Sequence, residues 1–438
     1  MLSVGKPKSL KINWFILIPA IIISGISILT LYFSNPTLNG SIDNVVIKQL
    51  LFVVLGLVVY LILSRFDYSY FKYSLFVYVL YAVTIILLLL TLIFGFGDVG
   101  TGARRWLTFA GFQLQPSEIA KVTVIICTAY VMTSLTHLKN WFRIGISFLG
   151  LLPILVMVYL QPHGSMTLIL FILWLLTVFF TQVDQMKIFV SLGIIVSILG
   201  GSLLFSATSN YYWLLLTLVG VILFVFGFNF KESWKSIVVP AFIVSLVLCL
   251  FIATMGNFLY NHVLSQYQRD RIETFQKSIT EDNPDDAKAW QVDQSKITIG
   301  SGQIWGKGWG KGTQSIGKFL PEHNTDFIFA SFAEQEGFVG VMILLVMYFM
   351  ILIVALRYVY KQNLDVFAST IITLLVFKIV IEAFINISTN TGILPATGIP
   401  LPLMSAGGTI TIMTFFSLGL IQSIINNSNF VDNQDRLT

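Results

Sequence analysis

The chain has 438 residues, of which 56% are hydrophobic and only 11% are charged, with a formal net charge of +5. A mean hydropathy of +0.84 excludes an ordinary soluble globular protein, in which polar and apolar positions alternate within each element. Cys127 and Cys249 both fall inside apolar runs, so the sequence offers neither a disulfide framework nor a zinc site. The basic residues divide between the two predicted membrane sides, so the positive charge does not indicate a nucleic-acid partner.

Apolar runs of about 18 to 25 residues recur along the chain, and each is long enough to cross a ~30 Å hydrocarbon core as a helix. We therefore predict an all-α, polytopic helical membrane protein with about 10–12 transmembrane helices, forming one domain over residues 1–438. The first run is too long for a cleavable signal peptide. The predicted spans are 12–33, 46–64, 71–96, 118–136, 143–160, 166–182, 187–206, 211–228, 236–256, 327–356, 365–387 and 405–426. The 187–228 stretch is interpreted as an extra hairpin, with one long tilted helix or a re-entrant pair as alternatives.

The distribution of lysine and arginine predicts the orientation of the chain in the membrane. Basic residues at the N-terminus and in alternate short loops place both termini in the cytoplasm. These residues are Lys6, Lys8, Lys11, Arg65, Lys72, Lys139, Arg143, Lys187, Lys231, Lys235, Arg357 and Lys361. Three segments then lie on the extracytoplasmic side, at 97–117, 257–326 and 388–404. Arg104 and Arg105 violate the positive-inside trend, which suggests a function for these two charges.

The first extracytoplasmic segment leads into a span through Pro116-Ser117-Glu118, which predicts a helix start capped by Ser117. Glu118 and Lys121 are three residues apart and therefore share one face of that helix. A purely structural interpretation, capping plus an ion pair, stays open for Glu118. Arg104, Arg105 and Trp106 are likewise open to interpretation as an anchor at the membrane interface. The candidate functional residues of this segment are Arg104, Arg105, Trp106, Glu118 and Lys121.

The second segment, 257–326, is predicted to be one large extracytoplasmic loop. It ends at Asp326, where the polar loop becomes an apolar helix. Its glycines, at 300, 302, 306, 308, 310 and 312, lack the spacing of a nucleotide-binding P-loop. They favour turns in a flexible lid, with backbone N–H groups approaching an anion as the alternative. The stretch 280–288 is acidic and is interpreted as a solvated flap. It lacks the spacing of an EF-hand, which argues against a calcium site.

The third segment, 386–409, contains three prolines and four glycines that prevent a continuous helix. Irregular backbone at membrane depth is tolerated only where it is buried in protein or lines a wet cavity. The segment therefore predicts a cavity. Lys378 and Glu382 are spaced as an i,i+4 ion pair inside the preceding apolar span. Ionisable residues there indicate function, although a structural pair remains the alternative.

Five motifs that occur in order along the chain resemble those of the SEDS family of bacterial cell-wall proteins. They are Gly102-Ala103-Arg104-Arg105-Trp106, Gln115-Pro116-Ser117-Glu118 with Lys121, Gln161-Pro162, Asp326-Phe327-Ile328-Phe329 and Gly398-Ile399-Pro400-Leu401-Pro402. Within that family, the segments at 294–296, 306–308 and 312–315 are more similar to the RodA branch, which serves cell elongation, than to the FtsW branch.

The resemblance implies a peptidoglycan glycosyltransferase that polymerises lipid II, a disaccharide-pentapeptide on undecaprenyl pyrophosphate, at the outer face of the bacterial cytoplasmic membrane. The family's essential aspartate corresponds to Asp326, which we interpret as the general base for the attacking sugar 4-hydroxyl. Cations must meet the charge that develops on the leaving pyrophosphate, and Arg104, Arg105 and Lys121 are the candidates. The predicted substrate-binding residues are Arg104, Arg105, Trp106, Gln115, Glu118, Lys121, Thr325, Lys378 and Ser405.

The same resemblance implies a class B penicillin-binding protein transpeptidase as partner, within the elongation machinery, and a divalent cation, Mg²⁺ or Mn²⁺, as an optional cofactor. Three positions depart from the family pattern. His163 stands where the family has the aspartate of Gln-Pro-Asp, Asn324 where it has the histidine of His-Thr-Asp, and Ala406 where it has the tyrosine of Ser-Tyr-Gly-Gly. The role of the missing acid is therefore open, with His163 as a replacement.

Two other functions suit some of these features. A flippase for the lipid-linked precursor would also use broken helices and buried ions. Against it, no internal repeat is evident and the polar groups concentrate on one membrane side rather than at the midplane. A scaffold that only recruits a transpeptidase would leave the buried charges and the Asp326 motif unexplained. The sequence therefore favours the polymerase.

Overall fold

The computed structural model describes residues 12–35, 42–97, 104–109, 112–182, 269, 287–317, 319–320, 322–361 and 364–435. The chain divides into two compact units, one formed by 1–181 with 285–438 and the other by 182–284. Almost all the described residues belong to the first unit. Its helices, numbered through the described residues, are α1 Trp14–Ser34, α2 Asn44–Arg65, α3 Ser74–Phe94, α4 Pro116–Ser134, α5 Asn140–Leu160, α6 Gly164–Gln182, α7 Ala287–Ser301, α8 Thr313–Ile316, α9 Ile328–Lys361, α10 Val366–Asn390 and α11 Gly408–Asp435.

Nine of the described helices are long and apolar enough to cross a membrane: α1 to α6 and α9 to α11. Each coincides with a predicted span, so the prediction of a polytopic helical membrane protein is confirmed. The predicted spans at 187–206, 211–228 and 236–256, with the extra hairpin at 187–228, lie outside the described residues, as does the acidic stretch 280–286. Of the predicted 257–326 loop, only Arg269 and the part from 287 onward are described, and that part contains α7 and α8.

Three spans enclose the polar interior of the first unit. In the most apolar window of each helix, 83% of α11 and 67% of α4 and α10 is buried, against 22% of α3 and α5. The apolar side chains that α2, α3 and α5 leave exposed, such as Ile62, Leu75 and Leu149, suit contact with lipid. Helix α2 packs chiefly on α11, α1 and α10 on α9, and α10 on α4 and α11. The central helices therefore hold their polar groups away from lipid.

The segment between α3 and α4 differs from the all-α prediction, because it is not wholly irregular. It contains a short antiparallel hairpin, β1 Leu107–Phe109 and β2 Phe112–Leu114, with Leu107 opposite Leu114. The helix start that follows also differs from the prediction. Gln115 is the N-cap of α4 and Pro116 is its first residue, so Ser117 lies inside the helix and is not the cap.

The proline- and glycine-rich segment before α11 is buried in protein, as irregular backbone at membrane depth requires. Ile399, Leu401 and Leu403 are almost completely buried. Side chains from three helices donate to buried carbonyls of this irregular backbone. Asn386 of α10 donates to Ile399 O at 2.8 Å, Ser27 of α1 donates to Met404 O at 2.5 Å, and Tyr348 of α9 donates to Pro402 O.

Helix α9 breaks near its start, at Gly337, whose φ of 66° and ψ of −164° belong to a region that only glycine adopts readily. The glycine-rich backbone before α8 runs beside this break. Lys307 N donates to Glu334 O at 3.0 Å and Gly308 N donates to Gln335 O at 2.9 Å. Phe338 N donates in return to Gln303 O at 2.9 Å. These bonds satisfy backbone groups that the broken helix leaves without an internal partner.

Candidate active site

Asp326 lies in the turn that connects α8 to α9, two residues before α9 begins at Ile328. The turn is closed by Thr325 N and Phe327 N, which both donate to Glu322 O at 3.1 Å. Phe327 is buried in an apolar cluster with Val292 of α7, Leu320 and Ala330. The turn is therefore fixed on the side of the neighbouring Phe327, while Asp326 itself is partly exposed.

Two asparagines of α10 hold the backbone of Asp326. Asn386 Nδ2 and Asn390 Nδ2 each donate to Asp326 O at 2.9 Å, and both side chains are buried. Asn390 Oδ1 also accepts from Ala330 N, at 3.2 Å, in the first turn of α9. Because the two asparagines are four residues apart, they occupy the same face of α10. This face of α10 therefore holds in place the turn that carries Asp326.

Ser405 joins the same turn to the segment before α11. Its Oγ donates to Thr325 O at 2.6 Å and accepts from Leu401 N at 2.7 Å. Next to this contact, Ala406 N donates to Asn324 O at 2.9 Å. Thr325 Oγ1 donates to Glu322 Oε2 at 2.9 Å. The structure thus brings the predicted residues Thr325, Asp326 and Ser405 together.

Four charged residues form a buried cluster between α4 and α10. Lys121 Nζ lies 2.7 Å from Glu118 Oε1 and also forms an ion pair with Glu382, while Lys378 Nζ lies 3.3 Å from Glu382 Oε2. All four side chains are fully buried. The predicted i,i+3 and i,i+4 pairs are thus both present, and Lys121 joins them into one network with no net charge.

This buried charge cluster (Glu118, Lys121, Lys378 and Glu382) continues into the asparagine pair. Lys378, Glu382, Asn386 and Asn390 are spaced by four residues along α10, so one polar stripe connects the ion pairs to the carbonyl of Asp326. Some polar atoms around this stripe lack hydrogen-bond partners. Ser117 Oγ and Glu118 Oε2 are buried without a hydrogen-bond partner among the described atoms. Buried groups of this kind are commonly satisfied by ordered water.

The remaining predicted residues, Arg104, Arg105, Trp106 and Gln115, flank the β1–β2 hairpin in the chain. Arg104 Nη1 donates to Leu92 O and Ile93 O, at 3.3 and 3.2 Å, near the C-terminal end of α3. Arg105 Nη2 donates to Pro162 O. Trp106 pairs with Phe96 through two backbone hydrogen bonds. Gln115 follows β2, and its backbone N donates to Thr409 Oγ1, in the first turn of α11, at 2.9 Å.

His163 stays a prediction as the replacement for the family acid. It is buried at the start of α6, where its carbonyl accepts from Thr167 N at 3.1 Å. The carboxylates that pair with Lys121 come from Glu118 and from Glu382 of α10. The second of these partners is 261 residues away in sequence, which is why the pattern of a single span does not indicate it.

A cavity of about 310 Å³ opens beside the Asp326 turn. Helix α2 lines it with Lys48, Gln49 and Phe52, the hairpin with Phe112 and Gln113, and the turn with Thr325. Of the predicted site residues, only Thr325 lines it. Lys48 was missed by sequence reasoning, although the signal was available. It is a basic residue near the predicted extracytoplasmic end of a span, where the positive-inside rule disfavours one.

Glu334, in the second turn of α9, is another residue that sequence reasoning missed. Its Oε1 accepts from Lys307 Nζ at 2.8 Å and Gln314 N at 2.9 Å, and its Oε2 accepts from Ser315 N at 3.0 Å and Ser315 Oγ at 2.8 Å. The carboxylate thus caps the short helix α8 from another element. The glycine-rich stretch from 302 to 315 is therefore attached to α9 through both backbone and side chains, and its interpretation as a flexible lid stays a prediction.

Comparisons with known proteins agree with this architecture. A family model described as cell cycle protein, covering FtsW, RodA and SpoVE, matches residues 10–214 and 182–429. The peptidoglycan glycosyltransferase MrdB of Escherichia coli K12 is 31% identical over 340 residues, covering 78% of this chain and 75% of that protein. The peptidoglycan glycosyltransferase RodA of Treponema pallidum is 28% identical, covering 94% of this chain and 97% of that protein.

Two solved structures share the fold. A chain from a peptidoglycan synthase complex superposes with a TM-score of 0.63 at 20% identity, covering 96% of this chain and 99% of that chain. The crystal structure of the rod shape determining protein RodA of Thermus thermophilus gives a TM-score of 0.54 at 20% identity, covering 95% of this chain and 97% of that chain. At this level of identity the likeness establishes the fold alone.

Proposed function

The chain belongs to the FtsW, RodA and SpoVE family of cell cycle proteins, and from that premise we propose that it is a peptidoglycan glycosyltransferase that polymerises lipid II. We assign it to cell elongation, with its active site on the outer face of the cytoplasmic membrane. One observation carries the site assignment. Asp326 lies in a turn that Asn386, Asn390 and Ser405 hold by its backbone, beside a cavity large enough for part of a small ligand.

The proposed reaction is a direct displacement at an anomeric carbon. The 4-hydroxyl oxygen of one sugar forms a bond to the anomeric carbon of another, and the bond from that carbon to the pyrophosphate oxygen breaks. Asp326 takes the proton of the attacking hydroxyl as general base. The lipid pyrophosphate leaves with the electron pair of the broken bond. Because a direct displacement inverts the anomeric carbon, an α-linked donor gives a β-linked product.

The two other functions are less well supported. Curated relatives with 28% to 31% identity are named as peptidoglycan glycosyltransferases, which does not favour a flippase. A pure scaffold would require neither the hydrogen bonds from Asn386 and Asn390 to Asp326 O nor the buried charge cluster. We therefore keep the polymerase as the conclusion.

The test is polymerisation of fluorescent lipid II by the purified full-length protein with a class B penicillin-binding protein present, followed by separation of glycan chains on a gel. Asp326→Asn is expected to lower the rate by roughly 10²- to 10⁴-fold, the usual contribution of a general base. Asp293→Asn is the matched control, because Asp293 pairs with Lys296 on the surface of α7 at 3.0 Å. An Asp326→Asn protein that polymerises at the normal rate would rule out the base assignment. Translocation of lipid II without chains would favour the flippase.

The partner and the cofactor are part of the same proposal. A related chain comes from a peptidoglycan synthase complex, which supports a transpeptidase as the partner. Omitting the class B penicillin-binding protein from the assay tests this. Among the described residues, no group of three or more histidine, cysteine, aspartate or glutamate side chains is placed to hold a metal ion. The role of Mg²⁺ or Mn²⁺ as an optional cofactor is tested by adding EDTA and then restoring each ion.

A further inference from the structure

We propose that Lys48 binds the pyrophosphate of the lipid-linked sugar in the cavity beside Asp326, an inference that rests on the proposed function. The cavity measures about 310 Å³ and is lined by the second turn of α2, the β1–β2 hairpin, the turn up to Thr325 and the start of α11. Asp326 follows Thr325 directly in the chain. An anion held in this cavity would therefore lie next to the turn that carries the proposed base.

The cations that the sequence suggested for this task are bound elsewhere. Lys121 is fully buried between Glu118 and Glu382. Arg104 contacts carbonyls near the end of α3, and Arg105 donates to Pro162 O. None of the three lines the cavity. A leaving pyrophosphate still needs positive charge close to the oxygen on which negative charge develops.

Lys48 meets that need. It is exposed on α2 and lines the cavity, and within the described part of the chain it takes part in no ion pair. Glu322 lines the same cavity, but its carboxylate accepts from Thr325 Oγ1 at 2.9 Å. The ammonium of Lys48 thus forms no ion pair with a described residue, although the Glu322 carboxylate lines the same cavity, and the space is large enough to receive an anion.

The neighbouring residue fixes the part of α2 that carries Lys48. Gln49 Nε2 donates to Ser405 O at 3.3 Å, and Gln49 Oε1 accepts from Gly407 N at 3.2 Å. The same segment therefore contacts both Lys48's neighbour and the Asp326 turn, through Ser405. A lysine on a fixed stem binds phosphate as a point charge with three donors. Such a group stabilises the leaving group without taking or giving a proton.

Binding of undecaprenyl pyrophosphate to the purified full-length protein tests this assignment, because this molecule has the anion but neither sugar nor peptide. Lys48→Met is expected to weaken its affinity by about 10- to 100-fold, the usual effect of losing a charge-assisted contact. Lys48→Arg is expected to retain most of the affinity. Undecaprenol, which lacks the pyrophosphate, is the ligand control, and Lys139→Met is the protein control, because Lys139 is exposed and does not line the cavity.

Unchanged affinity of Lys48→Met for undecaprenyl pyrophosphate would overturn the assignment, and so would an equal loss for undecaprenol. Weakened binding of lipid II alone would overturn it too, since Lys48 would then contact the peptide or the sugar. Polymerisation by the wild-type protein is measured in parallel. Absence of glycan chains would contradict the proposed function but not the binding of the anion, whereas normal polymerisation by Lys48→Met would contradict only the role of Lys48.

Discussion

The position of Asp326 depends on side chains that are not themselves reactive. Asn386 donates both to Asp326 O and to Ile399 O, so one amide connects the Asp326 turn to the irregular segment before α11. Asn390 donates to the same carbonyl of Asp326 and accepts from Ala330 N. Small displacements of a general base are costly, because proton transfer needs close contact with the reacting hydroxyl. We therefore expect the two asparagines to act as positioning residues for the proposed base.

We expect Asn386→Ala to lower kcat by roughly 10- to 100-fold, with a smaller change in KM, because the turn moves while the cavity remains. Asn386→Asp should be at least as damaging, since a carboxylate cannot donate to a carbonyl. Thr373→Val is the matched control on the same helix, where Thr373 Oγ1 donates only to Ser369 O at 2.7 Å. Steady-state kinetics with lipid II provide the measurement. A normal kcat in Asn386→Ala would show that the hydrogen bond from Asn386 to Asp326 O does not position the base.

The buried charge cluster acts on the same helix face. Removing one partner of a buried ion pair typically costs about 3–5 kcal/mol, because it leaves an uncompensated charge in a medium of low dielectric constant. Lys121 and Lys378 depend on Glu382 in this way, and Glu382 is one turn of α10 from Asn386. The ion pairs thus fix the rotation of α10 about its axis relative to α4. The asparagines then reach Asp326 from a helix that cannot turn freely.

At the scale of elements, close approach of two backbones determines where glycine is required. A Cβ at Gly337 would lie 2.2 Å from Gly306 N, and a Cβ at Gly306 would lie 2.1 Å from Gln335 O. Both glycines also have positive φ, of 66° and 74°. A Cβ at Gly300, inside α7, would have nothing within 4 Å. The glycines of this segment therefore differ in function although they look alike in sequence.

We expect Gly337→Ala to destabilise the protein by more than about 3 kcal/mol, through backbone strain and the clash with residue 306. Gly300→Ala should stay within about 1 kcal/mol of the wild type, because alanine suits a helix better than glycine. Thermal unfolding of both purified variants in detergent measures the difference. Equal melting temperatures would show that the glycine-rich segment is not packed against the break in α9.

The elements also show what a single sequence can predict. All nine described spans follow from hydropathy, since each needs only its own composition. The i,i+3 and i,i+4 pairs follow from helix geometry alone. The contact of Lys121 with Glu382, and the capping of α8 by Glu334, could not be predicted in this way. Each joins elements whose neighbourhood depends on packing, which the spacing of residues in one helix does not contain.

On the scale of the whole molecule, the proposed function depends on which side of the membrane carries the Asp326 turn. The distribution of lysine and arginine places Lys139 in the cytoplasm and the segment containing Lys311 outside the cell. Both residues are exposed, so both positions are accessible to a reagent in water. Because Lys311 and Asp326 belong to the same extracytoplasmic segment in this prediction, the side on which Lys311 lies also tests the side of the proposed base.

We expect Lys311→Cys to react with a membrane-impermeant maleimide in intact cells, and Lys139→Cys to react only after permeabilisation. The background protein carries Cys127→Ala and Cys249→Ala, so that no native thiol contributes. Labelled protein on a gel provides the measurement, and full labelling of both variants after permeabilisation is the control for accessibility. Labelling of Lys139→Cys in intact cells, with Lys311→Cys protected, would invert the topology. Asp326 would then face the cytoplasm, where it could not act on lipid II presented at the outer surface.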